Sequence, residues 1–201
     1  MITYFIIALT AIITYQAFES GSLMSKYRFN AFAVVHRREY WRLFSHILVH
    51  ADWGHLIFNM LTLFFFGTGV ESVLKYYFGG IGIFYFIVLY VAGGVFSTLY
   101  SIYQHRNHSG YNAIGASGAV SSVLFASILF SPQSSIYLFM IPIGIPAYIF
   151  GMLYLAYSAY MVKNGHDNIG HDAHFWGAVF GFIFPIMLNP DFFRMFLDNI
   201  F

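Results

Sequence analysis

The sequence predicts an all-α, polytopic membrane protein: a bundle of six transmembrane helices with a helical interfacial loop between the first two. Hydrophobic residues make up 59% of the chain and charged residues 8%, whereas about a quarter of the residues in a soluble domain are charged. The mean hydropathy is +0.69. Six apolar stretches approach the ~20 residues that cross ~30 Å of hydrocarbon. Because lipid cannot hydrogen-bond the backbone, these stretches should be helices, and we expect residues 1–201 to form a single membrane domain.

The composition excludes several classes of function. The net charge is +1, so there is no basic surface for nucleic acid. The absence of cysteine excludes disulfides, cysteine catalysis and thiolate metal sites. No Lys or Arg precedes the first apolar stretch, residues 2–18, and no small-x-small cleavage site follows it. We therefore interpret that stretch as a retained span rather than a signal peptide.

Short polar or glycine-containing connections separate the predicted spans, except at residues 19–54. The spans cover residues 2–18, 55–73, 80–103, 114–130, 136–162 and 173–188. Pro142 and Pro146 interrupt the fifth span, and an ordinary kink is the simpler interpretation. The alternative is a loosely packed helix that tilts and admits a substrate from the lipid side.

The connection formed by residues 19–54 is too long for a turn and too amphiphilic for a linker. Apolar and charged residues alternate around Trp41, which favours short helices lying in the membrane interface. Trp41 and Arg42 suit that depth, because an indole ring favours the headgroup region and a guanidinium can reach phosphate or backbone carbonyls.

Four polar residues stand at the starts of the even-numbered spans: His55 and Asn59 in the second, Ser117 in the fourth and His174 in the sixth. Because chain direction alternates across a membrane, the starts of even-numbered helices share one face. The four side chains should therefore converge just below one surface. Polar groups are costly in a bilayer, so their convergence indicates a functional site.

Ser117 has the surroundings of a nucleophile. A serine in a membrane helix more often bonds back to a carbonyl one turn earlier or packs as a small residue. Ser117, however, begins its span, where backbone N–H groups have no intrahelical partner. Gly115 and Gly118 flank it, so a substrate backbone could approach closely. An oxyanion formed at Ser117 would meet donors already directed at it.

His174 is the candidate general base. Gly177 and Gly181 follow it at positions +3 and +7, and such a small-residue face allows close approach of two helices. If that face packs on the fourth span, imidazole and hydroxyl could come within hydrogen-bond reach and activate the serine. Asp172 is two residues away on the same helix and should point elsewhere, so we expect a dyad.

His55 and Asn59 are four residues apart and lie on one helix face, where they could complete an oxyanion hole or simply bond neighbouring helices. A rival hypothesis is a metal site, because six histidines are predicted on this side of the membrane: His46, His50, His55, His166, His171 and His174. No H-E-x-x-H motif or adjacent His pair occurs, and the intramembrane carboxylate candidate, Glu71, ends the second span on the opposite face. We expect no metal and no cofactor, and we expect His46 and His50 to hold the loop against the bundle.

Taken together, the motifs resemble those of the rhomboid intramembrane serine proteases in their minimal six-helix form. The matching stretches are Glu39-Tyr40-Trp41-Arg42, His50 through His55 to Asn59, Gly67 to Glu71, Gly115-Ala116-Ser117-Gly118, and Ala173-His174 with Gly177 and Gly181. The resemblance implies Ser117 as nucleophile, His174 as general base, and His55 with Asn59 as oxyanion donors. Trp41, Arg42 and Glu71 match positions that the family uses for structure. Ser122 departs from the pattern, because many relatives carry glycine there.

The resemblance implies cleavage of transmembrane protein substrates within the lipid bilayer. The alternatives are a catalytically silent rhomboid-like protein that binds membrane clients and, less favoured, the histidine-rich metalloenzyme. We expect a bacterial inner (plasma) membrane location with the active site near the exoplasmic face, which is the orientation that the resemblance implies. The positive charges indicate the opposite orientation, with the site face in the cytoplasm, because cytoplasmic loops carry an excess of Lys and Arg. Seven lie on the site face: Lys26, Arg28, Arg37, Arg38, Arg42, Arg106 and Lys163.

Overall fold

Helices make up most of the chain in the structure, a computed structural model that describes residues 1–137, 143–165 and 169–201. The helices are α1 (Ile2–Glu19), α2 (Gly21–Tyr27), α3 (Ala31–His36), α4 (Arg42–Ser45), α5 (Trp53–Phe78), α6 (Ile81–Ser97), α7 (Leu99–His105), α8 (Ser117–Phe130), α9 (Ala147–Asn164), α10 (His171–Leu188) and α11 (Asp191–Asp198). A 3₁₀ turn spans His46–Leu48. Strands β1 (Ser135–Tyr137) and β2 (Gly144–Pro146) form an antiparallel pair.

The short helix α8 lies at the centre of the molecule. Eleven of its 14 residues are buried, and α5, α6 and α10 all pack against it. A helix that is apolar on every side is stable only when it is surrounded in this way. Because Ser117 is the first residue of α8, the central helix carries the predicted nucleophile at its amino end.

Length and composition support a multi-pass membrane protein. Three helical segments of the described chain are long and apolar enough to cross a bilayer: Ile2–Glu19, Trp53–Phe78 and Ile81–His105. A fourth qualifies if α10 and α11, bent by 114°, count as one span, while α8 is a shorter apolar helix. The prediction of six spans therefore remains a prediction for the segments around α8 and α9.

The prediction for the fifth span was wrong in its first part. Residues 135–137 and 144–146 are paired strands rather than helix, and α9 begins only at Ala147. Pro146 is the last residue of β2; its ring fixes φ and supplies no N–H, so it can precede a helix but not continue one. Pro142 lies outside the described residues. The all-α assignment thus needs one correction, a small antiparallel pair of strands.

The loop between α1 and α5 contains the short helices α2, α3 and α4, and its place in the membrane interface stays a prediction. Arg42 holds this segment together: its Nη1 donates to the carbonyl oxygens of Ser25 (2.9 Å) and Arg28 (2.7 Å), and its Nε to Glu39. The guanidinium therefore binds backbone carbonyls, one of the two partners expected for it. Trp41, by contrast, is 48% exposed and faces outward.

Glu71 ties α5 to the start of α1. Its carboxylate accepts hydrogen bonds from the backbone N–H groups of Ile2 and Thr3, both at 3.0 Å, and from the Thr3 hydroxyl at 2.8 Å. The side chain is only 1% exposed. Helix N–H groups without an intrahelical acceptor are thereby satisfied by a carboxylate placed at the positive end of the helix dipole.

The amphipathic helix α11 covers the opposite end of the bundle and was not foreseen as an element. Phe192 is buried and makes edge-to-face contacts with Tyr77 of α5 (4.9 Å) and Phe130 of α8 (4.9 Å). Asn189 and Pro190 form the bend. The signal in the sequence was this Asn-Pro pair followed by a short stretch that alternates phenylalanine with charge.

Candidate active site

The turn before α8 is built around a glycine that no other residue could replace. Gly115 has φ +115°, and a Cβ on it would lie 2.4 Å from the Cε1 atom of His55. The imidazole of His55 therefore lies against the backbone two residues before Ser117. This contact places His55 beside the amino end of α8, where the sequence predicted it.

Two buried histidines of the loop bind the same turn. The N–H of Gly115 donates to the His46 carbonyl at 3.1 Å, and the N–H of Ala116 donates to His50 Nε2 at 3.3 Å. On its other side, His50 Nδ1 lies 3.1 Å from the hydroxyl of Thr14. These bonds hold the loop against the bundle, as predicted for His46 and His50.

His50 is neutral at neutral pH. Its Nε2 accepts a backbone proton, so the ring proton sits on Nδ1 and is donated to Thr14, whose own hydroxyl donates to the Leu48 carbonyl. Burial lowers the pKa of His50 to about 3, with the neighbouring His55 adding to the effect. Burial likewise lowers the pKa of His46 to about 4. Neither ring carries charge into the site.

Helix α10 packs directly on α8 through its glycine face, which confirms the predicted packing. A Cβ on Gly177 would lie 2.2 Å from the Gly118 carbonyl oxygen, and one on Gly181 would lie 2.0 Å from that of Ser122. A Cβ on Gly118 would in turn lie 3.4 Å from the Ala173 carbonyl oxygen. The first turns of the two helices, which carry Ser117 and His174, therefore lie side by side.

Ser122 does not obstruct this contact. Its side chain points toward α6, where its Oγ bonds the Leu89 carbonyl at 3.0 Å. A Cβ on Gly93 would lie 2.3 Å from that Oγ, so α6 makes room for the hydroxyl with a glycine of its own. The space that serine needs at position 122, where many relatives carry glycine, is therefore provided by Gly93 of α6 and not at the contact with α10.

The imidazole of His174 has aromatic neighbours that the sequence did not reveal. Tyr154 of α9 stacks on it with ring centroids 6.2 Å apart and an interplanar angle of 29°. His171 meets it edge to face at 6.0 Å. The Tyr154 hydroxyl is 2.8 Å from the Oγ of Ser121, one turn after Ser117. Tyr154 was missed because a tyrosine in an apolar helix has no sequence signal of its own.

Asn59 and His55 share one face of α5, as their spacing predicted. Asn59 is 3% exposed, and its Nδ2 donates one proton to the His55 carbonyl at 2.8 Å. The primary amide has a second proton to donate. The N–H of His55 is capped by Asp52 at 2.8 Å, which fixes the start of α5.

Asp172 is turned away from His174, as expected. Its carboxylate accepts a hydrogen bond from Ser101 of α7, whose hydroxyl also lies 3.2 Å from that of Tyr111. Among the described residues, no three histidine or carboxylate side chains are placed to hold a metal ion together. His166, one of the six histidines of the metal hypothesis, lies outside the described residues.

The fold and the paired helix starts define a multi-pass membrane protein with a polar cluster at one end of its bundle. The family model of the Rhomboid domain matches residues 37–190, and the chain belongs to the rhomboid family.

Relatives with established names match at modest identity. The chain is 29% identical over 145 residues to the Arabidopsis thaliana protein named RHOMBOID-like protein 12, mitochondrial, covering 64% of this chain and 40% of the relative. It is 29% identical over 150 residues to Rhomboid protease GluP of Bacillus subtilis, covering 75% of this chain and 26% of the relative. The chain thus spans less than half the length of both. The mitochondrial name of the first also means that the relatives do not single out a bacterial membrane.

Proposed function

We propose that this chain is an intramembrane serine endopeptidase that cleaves transmembrane protein substrates with a Ser117–His174 dyad. The observation that carries the proposal is the packing of α10 on α8. Because Gly177 contacts the carbonyl of Gly118, the helix turn bearing His174 lies beside the turn bearing Ser117. Both side chains are half-buried, which leaves them accessible from one side.

In the proposed reaction, the Oγ of Ser117 attacks the scissile carbonyl while His174 takes its proton. The oxyanion forms at the amino end of α8, where the first N–H groups have no intrahelical acceptor and the helix dipole favours negative charge. His55 and the second amide proton of Asn59 are the side-chain donors that we assign to it. His174 then protonates the leaving amine, and water hydrolyses the acyl-enzyme.

This chemistry sets requirements on the substrate. A transmembrane helix hides its carbonyls in hydrogen bonds, so it has to unwind locally before Ser117 can reach one. Segments with glycine, proline or other weak helix formers near the cleaved bond should therefore be preferred. Water must reach the acyl-enzyme, which fits a site at the end of the bundle rather than at its middle.

Labelling with a fluorophosphonate probe tests the proposal. The purified protein should become covalently modified on the peptide that contains Ser117, and Ser117→Ala should abolish the modification. Ser121→Ala is not a suitable control, because Ser121 contacts Tyr154; Ser127→Ala, on the same helix and half-buried, is. No labelling of a folded wild-type protein would favour the silent, client-binding alternative.

A further inference from the structure

A small polar cavity lies between the loop that joins α1 to α5 and the connection from α7 to α8. Its volume is about 170 Å³, whereas a single water molecule needs about 10–15 Å³, so a tetrahedral oxyanion fits inside. Three arginines of the loop line it: Arg28, Arg37 and Arg42. Ser109 and Asn112 of the α7–α8 connection line it as well. Among the described residues of its lining, none is acidic.

The guanidinium of Arg42 is held in place and keeps donors for a ligand. Of its five N–H groups, the one on Nε donates to Glu39 and those on Nη1 donate to the carbonyls of Ser25 and Arg28. Its side chain is only 13% exposed. No hydrogen bond within the described residues uses the two protons on Nη2. These are the donors that remain for a ligand in the cavity.

The other two guanidiniums bring positive charge that the fold does not neutralise. No carboxylate of the described residues pairs with Arg28 or Arg37. Arg37 lies over the ring of Phe32, with its guanidinium carbon 5.8 Å from the ring centroid, and such a contact leaves the N–H groups free to donate. Like charges around one small cavity repel each other. A bound anion would remove that repulsion.

The cavity is preformed, because the two segments that enclose it are already bonded to each other. The backbones of Phe29 and Ala113 exchange hydrogen bonds of 2.9 and 3.1 Å. The Nδ2 of Asn30 donates to the carbonyls of Ser109 at 2.9 Å and Tyr111 at 3.0 Å. A ligand therefore meets a site that needs little ordering, and a preorganised site loses less affinity to that cost.

We propose that this cavity binds a phosphate group, carried either by the headgroup of an anionic phospholipid or by free phosphate. Arginine suits this ligand, because its planar fork of N–H donors matches phosphate oxygens. Both sources present the same charged oxygens to the cavity. The bound group links the loop to the connection that leads into α8, so it stabilises the folded protein. The site is separate from the proposed dyad, since neither Ser117 nor His174 lines it.

The variant that tests the site is Arg28→Gln/Arg37→Gln. It removes two of the three positive charges and leaves Arg42, which holds the loop together, in place. Its affinity for phosphate should fall at least about tenfold, because hydrogen bonds to charged groups are lost. Arg37→Gln alone, at an exposed position, is the milder variant and should show a smaller loss in the same direction.

The matched control is Arg38→Gln/Arg106→Gln. These are two exposed arginines on the same predicted face of the molecule, and neither lines the cavity. The control therefore loses the same net charge as the test variant without changing the site. Thermal unfolding of each purified protein in detergent, without phosphate, shows that the variants fold.

The first arm uses inorganic phosphate, compared with sodium chloride at equal ionic strength because salt alone screens the repulsion between arginines. Phosphate at about five times its Kd should raise the melting temperature of the wild type by about 2–4 °C beyond the chloride value. The control variant should respond like the wild type, and Arg28→Gln/Arg37→Gln should lose most of the response.

The second arm uses lipid in phosphate-free buffer. Micelles doped with phosphatidic acid are compared with micelles doped with oleic acid, which is an anionic lipid without phosphate. Stabilisation by phosphatidic acid alone identifies a headgroup as the source, and stabilisation by inorganic phosphate alone identifies the free ion. Stabilisation by both shows a site that accepts the phosphate group from either. The proposal is overturned if neither source exceeds its own comparison, or if Arg28→Gln/Arg37→Gln responds like the wild type.

Discussion

At the scale of single residues, the amino end of α8 meets side chains from α5 and from the preceding loop. His55 lies against Gly115, His50 accepts from the N–H of Ala116, and Asn59 is buried one turn below His55. The N–H groups of Gly115 and Ala116 are bonded to the loop, and we assign the proposed oxyanion to the N–H groups that follow them in the first turn of α8. The site therefore depends on helix termini more than on acidic residues.

Asn59→Ala should reduce turnover by about 10²–10³-fold if Asn59 donates to the oxyanion. The loss should fall on kcat, because the interaction forms only in the transition state. Thr62→Ala is the matched control, since Thr62 makes a similar bond to the carbonyl four residues earlier, at 2.8 Å, on an exposed face. The measurement is substrate cleavage together with thermal unfolding. Equal activity of the two variants would remove Asn59 from the mechanism.

His50 predicts how stability depends on pH. Its pKa is lowered from 6.5 to about 3 in the folded protein, so the unfolded chain binds more protons between these values. The contribution of His50 is therefore complete above pH 6.5 and is lost as the pH falls toward 3, by at most about 1.4 kcal/mol per pH unit.

Thermal unfolding of wild type and His50→Gln between pH 7 and pH 4 measures this effect. The variant should be less stable at pH 7, because its bonds to Thr14 and Ala116 are weakened. The difference in stability should shrink as the pH falls. If the difference in stability between wild type and His50→Gln is constant over this pH range, His50 is not protonated on unfolding.

At the scale of elements, the central contact is that of α10 on α8. Gly177→Ala and Gly181→Ala place a Cβ 2.2 Å and 2.0 Å from backbone oxygens of α8, so one helix has to move. We expect a loss of about 1–3 kcal/mol in the free energy of unfolding, as for other overpacked sites. We also expect lower activity, because the shift separates Ser117 from His174.

Gly69→Ala is the matched control for this contact. Gly69 is also a glycine inside a membrane helix, but a Cβ there has nothing within 4 Å. It should be neutral or slightly stabilising, because alanine loses less backbone entropy than glycine on folding. If all three variants melt and cleave like the wild type, the glycine face of α10 is not the contact that positions His174 beside Ser117.

Some of these elements could be predicted from the sequence and others could not, for physical reasons. The starts of α5, α8 and α10 could be placed because polar residues are rare in apolar spans and alternating chain direction fixes their side. The strand pair before α9 was missed because a short apolar run is compatible with either a strand or a helix. The contact of Tyr154 with His174 was missed because it arises from packing between helices, which the residue pattern along one helix does not report.

At the scale of the whole molecule, the orientation in the membrane is a prediction that charge alone would reverse. Seven Lys and Arg residues were assigned to the site face, and the positive-inside rule would place that face in the cytoplasm. Arg42, however, is bonded to Glu39 and to two backbone carbonyls. Because its charge is bonded within a folded segment, Arg42 is weak evidence that this face lies in the cytoplasm.

We expect the site near the exoplasmic face and Phe201 in the cytoplasm. Fusions of a fluorescent protein and of alkaline phosphatase to Phe201 in a bacterial host measure this directly. Fluorescence without phosphatase activity is the expected pattern. Phosphatase activity without fluorescence would invert the topology and place the polar cluster on the cytoplasmic side.

The central claim is that Ser117 and His174 act as one catalytic unit, and its most direct test is cleavage of a transmembrane substrate by the protein reconstituted in liposomes. Ser117→Ala, His174→Ala and the double variant should each abolish cleavage while keeping the wild-type melting temperature. The double variant should be no worse than either single one, because residues that act as a unit are not additive. Substantial cleavage by Ser117→Ala would contradict the serine mechanism.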